Sequence, residues 1–294
     1  MSDPHPHPDV AFVGYGEAGH AIVTGWGQAR PARINAYDLK SGFADQRAAL
    51  QARYAAAGVT GAESLAQALQ GIPVVFSTVT ADQALVAARQ AAAALAPGAL
   101  WLDCNSCAPD TKRAAAEVIG AAGGRYVDVA VMAPVYPKQH LVPLLVSGPE
   151  AQAGIAALTA LGMRPKYMGE AVGRASSIKM LRSVMIKGME ALTAECVLAA
   201  RRAGVEEEVI SSLEASDPGV KWRERGAYNL ERMMVHGARR AAEMHEVAKT
   251  VAALGLSDGM ASATADWQAR IAEIGADPGP DDLFERADRI LSRL

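Results

Sequence analysis

The sequence predicts an α/β half followed by an all-helical half, and three observations predict it. Short apolar runs alternate with stretches of helical period through the first half, which marks βαβ units and a parallel sheet. Strand signals stop after Gly169, and helical periodicity alone continues from there. A glycine-rich turn, V-A-F-V-G-Y-G-E-A-G-H-A, sits where the first strand should end and the first helix begin.

The apolar runs that read as strands are Val10–Val13, Ile34–Tyr37, Val74–Thr78, Leu100–Asp103 and Tyr126–Val131. Helical stretches lie between and after them at Ala18–Gln28, Phe43–Ala57, Ser64–Leu69, Ala81–Leu95 and Asp110–Ala122. Ser64 and Asp110 are expected N-caps, and Pro97-Gly98 is a turn. Two further runs, Pro143–Val146 and Pro165–Met168, flank the helical Glu150–Leu161 and should extend the same sheet. Ser176–Arg202 follows as one long helix, about 40 Å at 1.5 Å per residue. Shorter helices are expected at Glu206–Ala215, Lys221–Met233, Ala238–Leu254, Gly259–Arg270 and Asp281–Leu294. Residues 1–8, M-S-D-P-H-P-H-P, read as a disordered tail with His5 and His7 in solvent. Residues 9–169 read as one domain and 170–294 as a second, led by the long helix as spine and bridge. With no flexible linker, the two are expected to pack firmly about a cleft.

Composition bounds the function. The chain has 294 residues, enough for two domains. Half are hydrophobic but only 5% are aromatic, so the core must be built from Ala, Val, Leu and Met. A net charge of −3 gives no electrostatic case for nucleic acid or an anionic membrane. No apolar run reaches the roughly 18–20 residues of a spanning helix, and the first residues lack the basic and apolar regions of a signal peptide. Three cysteines fit a reducing cytoplasm. Cys104 and Cys107 form C-N-S-C without a second pair or a nearby His, so they read as small apolar residues rather than metal ligands.

The glycine turn carries the first chemical inference. Gly14, Gly16 and Gly19 have G-x-G-x-x-G spacing. Gly14 allows the tight turn, Gly16 lets backbone approach a pyrophosphate, and Gly19 lets helix pack on strand. The segment Gly14-Tyr15-Gly16-Glu17-Ala18-Gly19 would present helix N-terminal N–H groups to the diphosphate. Asp38 closes the second apolar run about twenty residues on, where it would accept hydrogen bonds from ribose hydroxyls. The first half is therefore expected to be a Rossmann-type dinucleotide-binding domain. The charge of Asp38 should repel a 2′-phosphate and favour NAD, with Lys40 offsetting part of this and leaving NADP open.

Four segments, in order, resemble the β-hydroxyacid dehydrogenase superfamily, which includes 6-phosphogluconate dehydrogenase and 3-hydroxyisobutyrate dehydrogenase. F-V-G-Y-G-E-A-G-H-A looks like its amino-terminal fingerprint. D-C-N-S-C-A-P, Asp103–Pro109, looks like its D-x-S-T-x-x-P segment. Y-V-D-V-A-V-M-A-P, Tyr126–Pro134, stands in place of the substrate loop D-A-P-V-S-G-G. V-G-R-A-S-S-I-K-M-L-R-S, Val172–Ser183, matches G-x-G-x-x-x-K-x-x-x-N, whose lysine is catalytic. The resemblance implies that Lys179 is the catalytic residue. It implies substrate contacts at Asn105, Ser106, Met132, Ala133 and Ser183, and cofactor contacts at Thr78, Val79, Thr80 and Asn105. The departures are Met132-Ala133-Pro134 for Ser-Gly-Gly, Ala175 for a glycine, and Ser183 for the asparagine. They fit a divergent branch with a C-terminal domain of unknown function, and H-G-A-R-R-A-A-E-M-H-E-V-A, His236–Ala248, looks like that branch.

The residues support a physical case beside the resemblance. Lys179 falls within a turn of the expected start of the long helix. Partial desolvation there, near the positive helix end, disfavours its charged form, which suits a general acid/base. Ser183, Ile186 and Glu190 share its stripe, whereas Lys187 lies about 80° away and should be solvated or at a subunit contact. Arg239 or Arg240 is a candidate anchor for a substrate carboxylate, against the reading of a helix surface with Arg–Glu pairs. The expected activity is hydride transfer between a nicotinamide and the CH–OH of a small hydroxy acid or its carbonyl form. Oxidative decarboxylation, imine reduction and non-catalytic dinucleotide binding are the alternatives. The Ala- and Met-rich helices have more apolar face than a monomer hides, so a cytoplasmic homodimer without metal, nucleic acid or membrane partner is expected.

Overall fold

The computed structural model describes residues 7–27 and 30–294. The expected tail of residues 1–8, with His5, lies mostly outside them. His7 is described and is partly exposed. Its Nδ1 donates to the Ala160 carbonyl at 2.7 Å, one of the carbonyls left without an intrahelical partner at the end of a helix.

Eight strands form one sheet: β1 Val10–Val13, β2 Ile34–Tyr37, β3 Thr60–Gly61, β4 Val74–Ser77, β5 Leu100–Asp103, β6 Arg125–Val131, β7 Pro143–Ser147 and β8 Arg164–Tyr167. Their order is β3-β2-β1-β4-β5-β6-β7-β8. All neighbours are parallel except β6 and β7. The connection reverses direction between β1 and β4, and ligands of open α/β sheets bind beyond the strand C-termini at such a point. β1, β4 and β5 are buried along their whole length, as strands covered on both faces must be.

The helices of this half are α1 Glu17–Gly25, α2 Ala44–Ala56, α3 Leu65–Leu69, α4 Ala84–Ala92, α5 Pro109–Ala121 and α6 Ala151–Ala160. They cover two apolar layers. One gathers Phe12, Tyr15, Trp26, Phe76 and Val129, and the other Ala11, Val75, Ala88, Trp101 and Ile119. Ser64 caps α3 as expected, accepting from the Gln67 amide. Asp110 does not cap α5; Ala108 is the cap residue and Pro109 opens the first turn. Proline suits that place because its missing N–H would have no helical partner.

The rest of the chain is helical: α7 Arg174–Ala203, α8 Glu206–Ser216, α9 Trp222–Ala253, α10 Gly259–Ile274 and α11 Leu283–Leu291. The chain divides into two compact units, Met1–Lys179 and Met180–Leu294. The two helices expected at Lys221–Met233 and Ala238–Leu254 are a single one, α9. Gly237 lies between the two expected stretches and serves packing. A Cβ there would lie 2.5 Å from the Gln268 carbonyl oxygen and 2.9 Å from the Ala272 Cβ, so glycine lets α10 approach α9 closely. The core of this unit joins Leu198, Leu230, Met233, Ile271, Leu283 and Ile290. Among the described residues, no helix is long and apolar enough to cross a membrane.

Candidate functional site

The glycine turn joins β1 to α1 at the point where the sheet order reverses. Gly14 has φ +84°, and a Cβ on it would stand 2.7 Å from the Thr78 carbonyl oxygen. Only glycine fits that backbone and that gap. Gly19 faces inward, where a Cβ would meet Tyr15 and Phe12 at 3.1 and 3.3 Å. Gly16 differs from both. A Cβ there would meet nothing within 4 Å, so the space over it is open. No side-chain cap closes the start of α1, and Glu17 and Ala18 lie beside that open space. The residues present therefore fit a diphosphate laid against the turn.

Asp38 follows β2 and braces the turn directly. Its Oδ2 accepts from the Tyr15 N–H at 2.8 Å and its Oδ1 from the Lys40 N–H at 3.0 Å. Thr78 closes the other side, its hydroxyl donating to the Gly14 carbonyl at 2.6 Å. The Val79 N–H donates to Asn105 Oδ1 at 2.7 Å, while Thr80 is exposed. Asn105 is committed inside the protein. Its amide nitrogen donates to Ser77 Oγ at 2.9 Å and to Asp103 Oδ1 at 2.8 Å. It thus ties together the ends of β4 and β5.

Lys179 lies on the second turn of α7, half-buried. Its Nζ donates to Ser106 Oγ at 2.6 Å, so the structure brings two of the sequence-derived residues together. Met132 and Ala133 follow β6 and are half-buried, with the Met132 N–H donating to the Pro143 carbonyl at 2.9 Å. Ser183 is one turn beyond Lys179 on α7 and is buried.

Sequence reasoning missed a buried ionic network behind these residues. Asp103 at the end of β5 and Asp128 on β6 are register partners in the sheet, and neither is exposed. Lys112 of α5, also fully buried, lies between them. Its Nζ is 2.9 Å from Asp103 Oδ1, 2.6 Å from the Asp103 carbonyl and 3.5 Å from Asp128 Oδ1. Burial opposes the charge of Lys112, but the two carboxylates outweigh it and hold the ammonium above the ordinary lysine range. Tyr126 donates to Asp103 Oδ2 at 2.8 Å. Burial, and then the neighbouring carboxylates, keep that phenol neutral well past its usual range. Burial likewise pushes the Cys104 thiol up to about 12, so it is no thiolate nucleophile.

Asp128 also caps the start of α7. Its Oδ2 accepts from Gly173 N (3.1 Å), Ser176 N (3.1 Å), Ser176 Oγ (3.2 Å) and Ser147 Oγ (3.0 Å). A carboxylate therefore sits on the N-terminus of α7 and offsets the positive helix end.

The helical unit holds its own ionic cluster. Glu190 accepts from Arg240 Nε at 2.9 Å, from the other arm of that guanidinium, and from Gln268 Nε2 at 2.8 Å. A substrate carboxylate would have to displace Glu190 to use Arg240. Arg239 is half exposed and donates to Glu243 at 3.1 Å. Lys187 is buried rather than solvated, 2.8 Å from Glu243, because the acid on α9 reaches it. Burial lowers its affinity for a proton despite that partner.

Residues 9–158 match the family described as the NAD binding domain of 6-phosphogluconate dehydrogenase. The chain belongs to that family. Residues 200–271 match a domain of unknown function (DUF1932), so the divergent branch expected from His236–Ala248 is present. A conserved hypothetical protein from Sinorhizobium meliloti 1021 is 39% identical, over 98% of this chain and 97% of its own, with a TM-score of 0.74. A conserved protein of unknown function, described as similar to 3-hydroxyacid dehydrogenases, is 30% identical over 90% and 97% with a TM-score of 0.68. The 3-hydroxyisobutyrate dehydrogenase of Pseudomonas aeruginosa is 26% identical over 73% of this chain and 71% of its own.

Proposed function

We propose that this family member is a nicotinamide-dependent oxidoreductase acting on the CH–OH group of a small hydroxy acid, with Lys179 as the general acid/base. The observation that carries the reading is the 2.6 Å contact of Lys179 Nζ with Ser106 Oγ, in the same compact unit as the glycine turn. Similarity to 3-hydroxyisobutyrate dehydrogenase supports the hydroxy-acid class.

When bound, a nicotinamide dinucleotide supplies the hydride acceptor in oxidation or the donor in reduction. Gly16 would receive the diphosphate at the start of α1, with Gly14 and Gly19 keeping the turn tight, and Asp38 would accept from the adenosine ribose hydroxyls while it braces Tyr15. That carboxylate disfavours a 2′-phosphate, so NAD is preferred. Ser106 orients the substrate hydroxyl and hands its hydrogen-bonding place beside Lys179 Nζ to it. In oxidation Lys179 Nζ takes the hydroxyl proton; in reduction it returns one to the alkoxide oxygen. The partly buried Met132 and Ala133 line the substrate side with apolar surface. Exposed Leu192, Val235, Leu254, Leu256 and Met260 support a homodimer.

The experiment is a panel of 2- and 3-hydroxy acids with NAD and NADP, following absorbance of the reduced cofactor. Turnover of at least one acid, faster with NAD, is the expected result. No turnover of any member with either cofactor, in protein that binds the dinucleotide, overturns the reading.

A further inference from the structure

We propose that Asp128 and Lys112 are positioning residues that set Lys179 against Ser106, joining the α7 start and the β5 loop through one buried ammonium. This rests on the reading of Lys179 as the proton-transfer group.

A helix is ordinarily capped by the residue just before it, which satisfies its N–H groups without fixing its place on the protein. Here the cap comes from strands. Asp128 on β6 holds the Gly173 and Ser176 N–H groups from 45 and 48 residues away. Ser147 on β7 accepts the Ala175 N–H at 2.9 Å and donates to Asp128 at 3.0 Å. The start of α7 is therefore bolted to two neighbouring strands of the sheet. Lys179 comes less than one turn after Ser176, so the bolt fixes its Cα.

Ser106 is held from the other side. Asp103 Oδ1 accepts from the Asn105 N–H at 3.0 Å and from its side-chain amide, which shapes the loop that carries Ser106. Lys112 binds Asp103 at 2.9 Å and faces Asp128 at 3.5 Å. Each end of the Lys179–Ser106 hydrogen bond is thus a few residues from a carboxylate that the same ammonium holds. Buried charge costs desolvation that apolar packing would avoid, and here the charges bind both sides of the bond to one point. Displacement of a reacting group by about 1 Å can cost up to roughly a hundredfold in rate.

Asp128→Asn tests this. The amide keeps an acceptor for the α7 N–H groups but turns donors toward Lys112, breaking the link between the two sides. Ser147→Ala is the second variant, which leaves every charge in place and removes the Ala175 tie; Ser147→Thr should restore it. The primary readout is competitive acetylation by acetic anhydride, with Lys179 compared to exposed Lys166 by peptide mass spectrometry. The second is kcat and KM with the most active acid of the panel. Lys179 should become several-fold more reactive relative to Lys166. kcat should fall roughly tenfold with KM and NADH affinity unchanged. Unchanged Lys179 reactivity in the folded variants overturns the proposal whatever the kinetics do. Raised reactivity with unchanged kcat upholds the positioning and counts against Lys179 as the acid/base, so the two readings fail separately.

Discussion

Lys179 and Ser106, 73 residues apart in sequence, share a 2.6 Å hydrogen bond. The bond joins the second turn of α7 to the loop after β5, and β5 stands beside β4 at the reversal of the sheet. It brings a proton-bearing amine and a hydroxyl together in the unit that carries the glycine turn.

The glycines of that turn should respond oppositely to a methyl group. Gly14→Ala forces a side chain into φ +84° and onto the Thr78 carbonyl, so it should cost about 2–4 kcal/mol of stability. Gly16→Ala meets no protein atom and should fold normally. Its methyl would stand where a diphosphate would lie, costing about 1–3 kcal/mol of binding, or roughly 5- to 150-fold in NADH affinity. Urea denaturation and NADH fluorescence titration check the pair. Normal NADH affinity in Gly16→Ala would move the diphosphate elsewhere.

Asp38→Asn should narrow the preference for NAD over NADP roughly tenfold, because it removes a like charge from the 2′-phosphate while keeping an acceptor for the turn. The ratio of kcat/KM for the two cofactors measures it. A ratio equal to wild type would show that Asp38 braces Tyr15 and does no more.

Tyr15 is fully buried, and its hydroxyl has no hydrogen-bond partner among the described residues. Burial pushes this phenol from 10.0 up to about 12, against the pull of Arg30 and Arg53. The folded protein therefore keeps a proton that the unfolded chain gives up first. Its contribution to stability is complete below pH 10 and is lost as pH rises through 12. Tyr15→Phe should leave stability at neutral pH equal or up to about 1 kcal/mol higher. It should also flatten part of the alkaline decline, seen as urea midpoints measured from about pH 8 to about pH 12, which brackets the rise from 10.0 to about 12. An alkaline slope identical to wild type would contradict the assignment.

Glu190→Ala strands the buried Arg240 guanidinium and should cost about 3–5 kcal/mol. Arg240 acting as a structural partner predicts loss of the urea midpoint in Arg240→Met with KM unchanged. A raised KM in a fully stable Arg240→Met would restore the carboxylate-anchor role.

The fold was largely legible because its signals are local. β1, β2 and β5 are short, mostly apolar runs next to a glycine or an aspartate, and the structure begins and ends them where the sequence does. The Thr60–Gly61 strand was not, since two residues carry no period. α9 was expected as two helices, and the glycine between them, Gly237, admits α10 rather than ending the helix.

At the site, motif spacing singled out the turn, Asp38 and Lys179 as candidates, whereas the network behind them stayed hidden. Asp103 and Asp128 offered one signal, acids within or closing apolar strands, where an unpaired charge is costly. Lys112 offered none. In P-D-T-K-R-A it is indistinguishable from a solvated helix lysine until the sheet register sets both acids against it. Lys187 was misread for the same reason, as its partner Glu243 lies on another helix.

The measurement that tests the central claim most directly is turnover of the best hydroxy acid by Lys179→Ala at saturating NAD, beside NADH affinity of the same protein. Loss of a positioned acid/base should lower kcat by roughly 10²–10⁴-fold with NADH affinity unchanged. Turnover near wild type at unchanged affinity would contradict the mechanism.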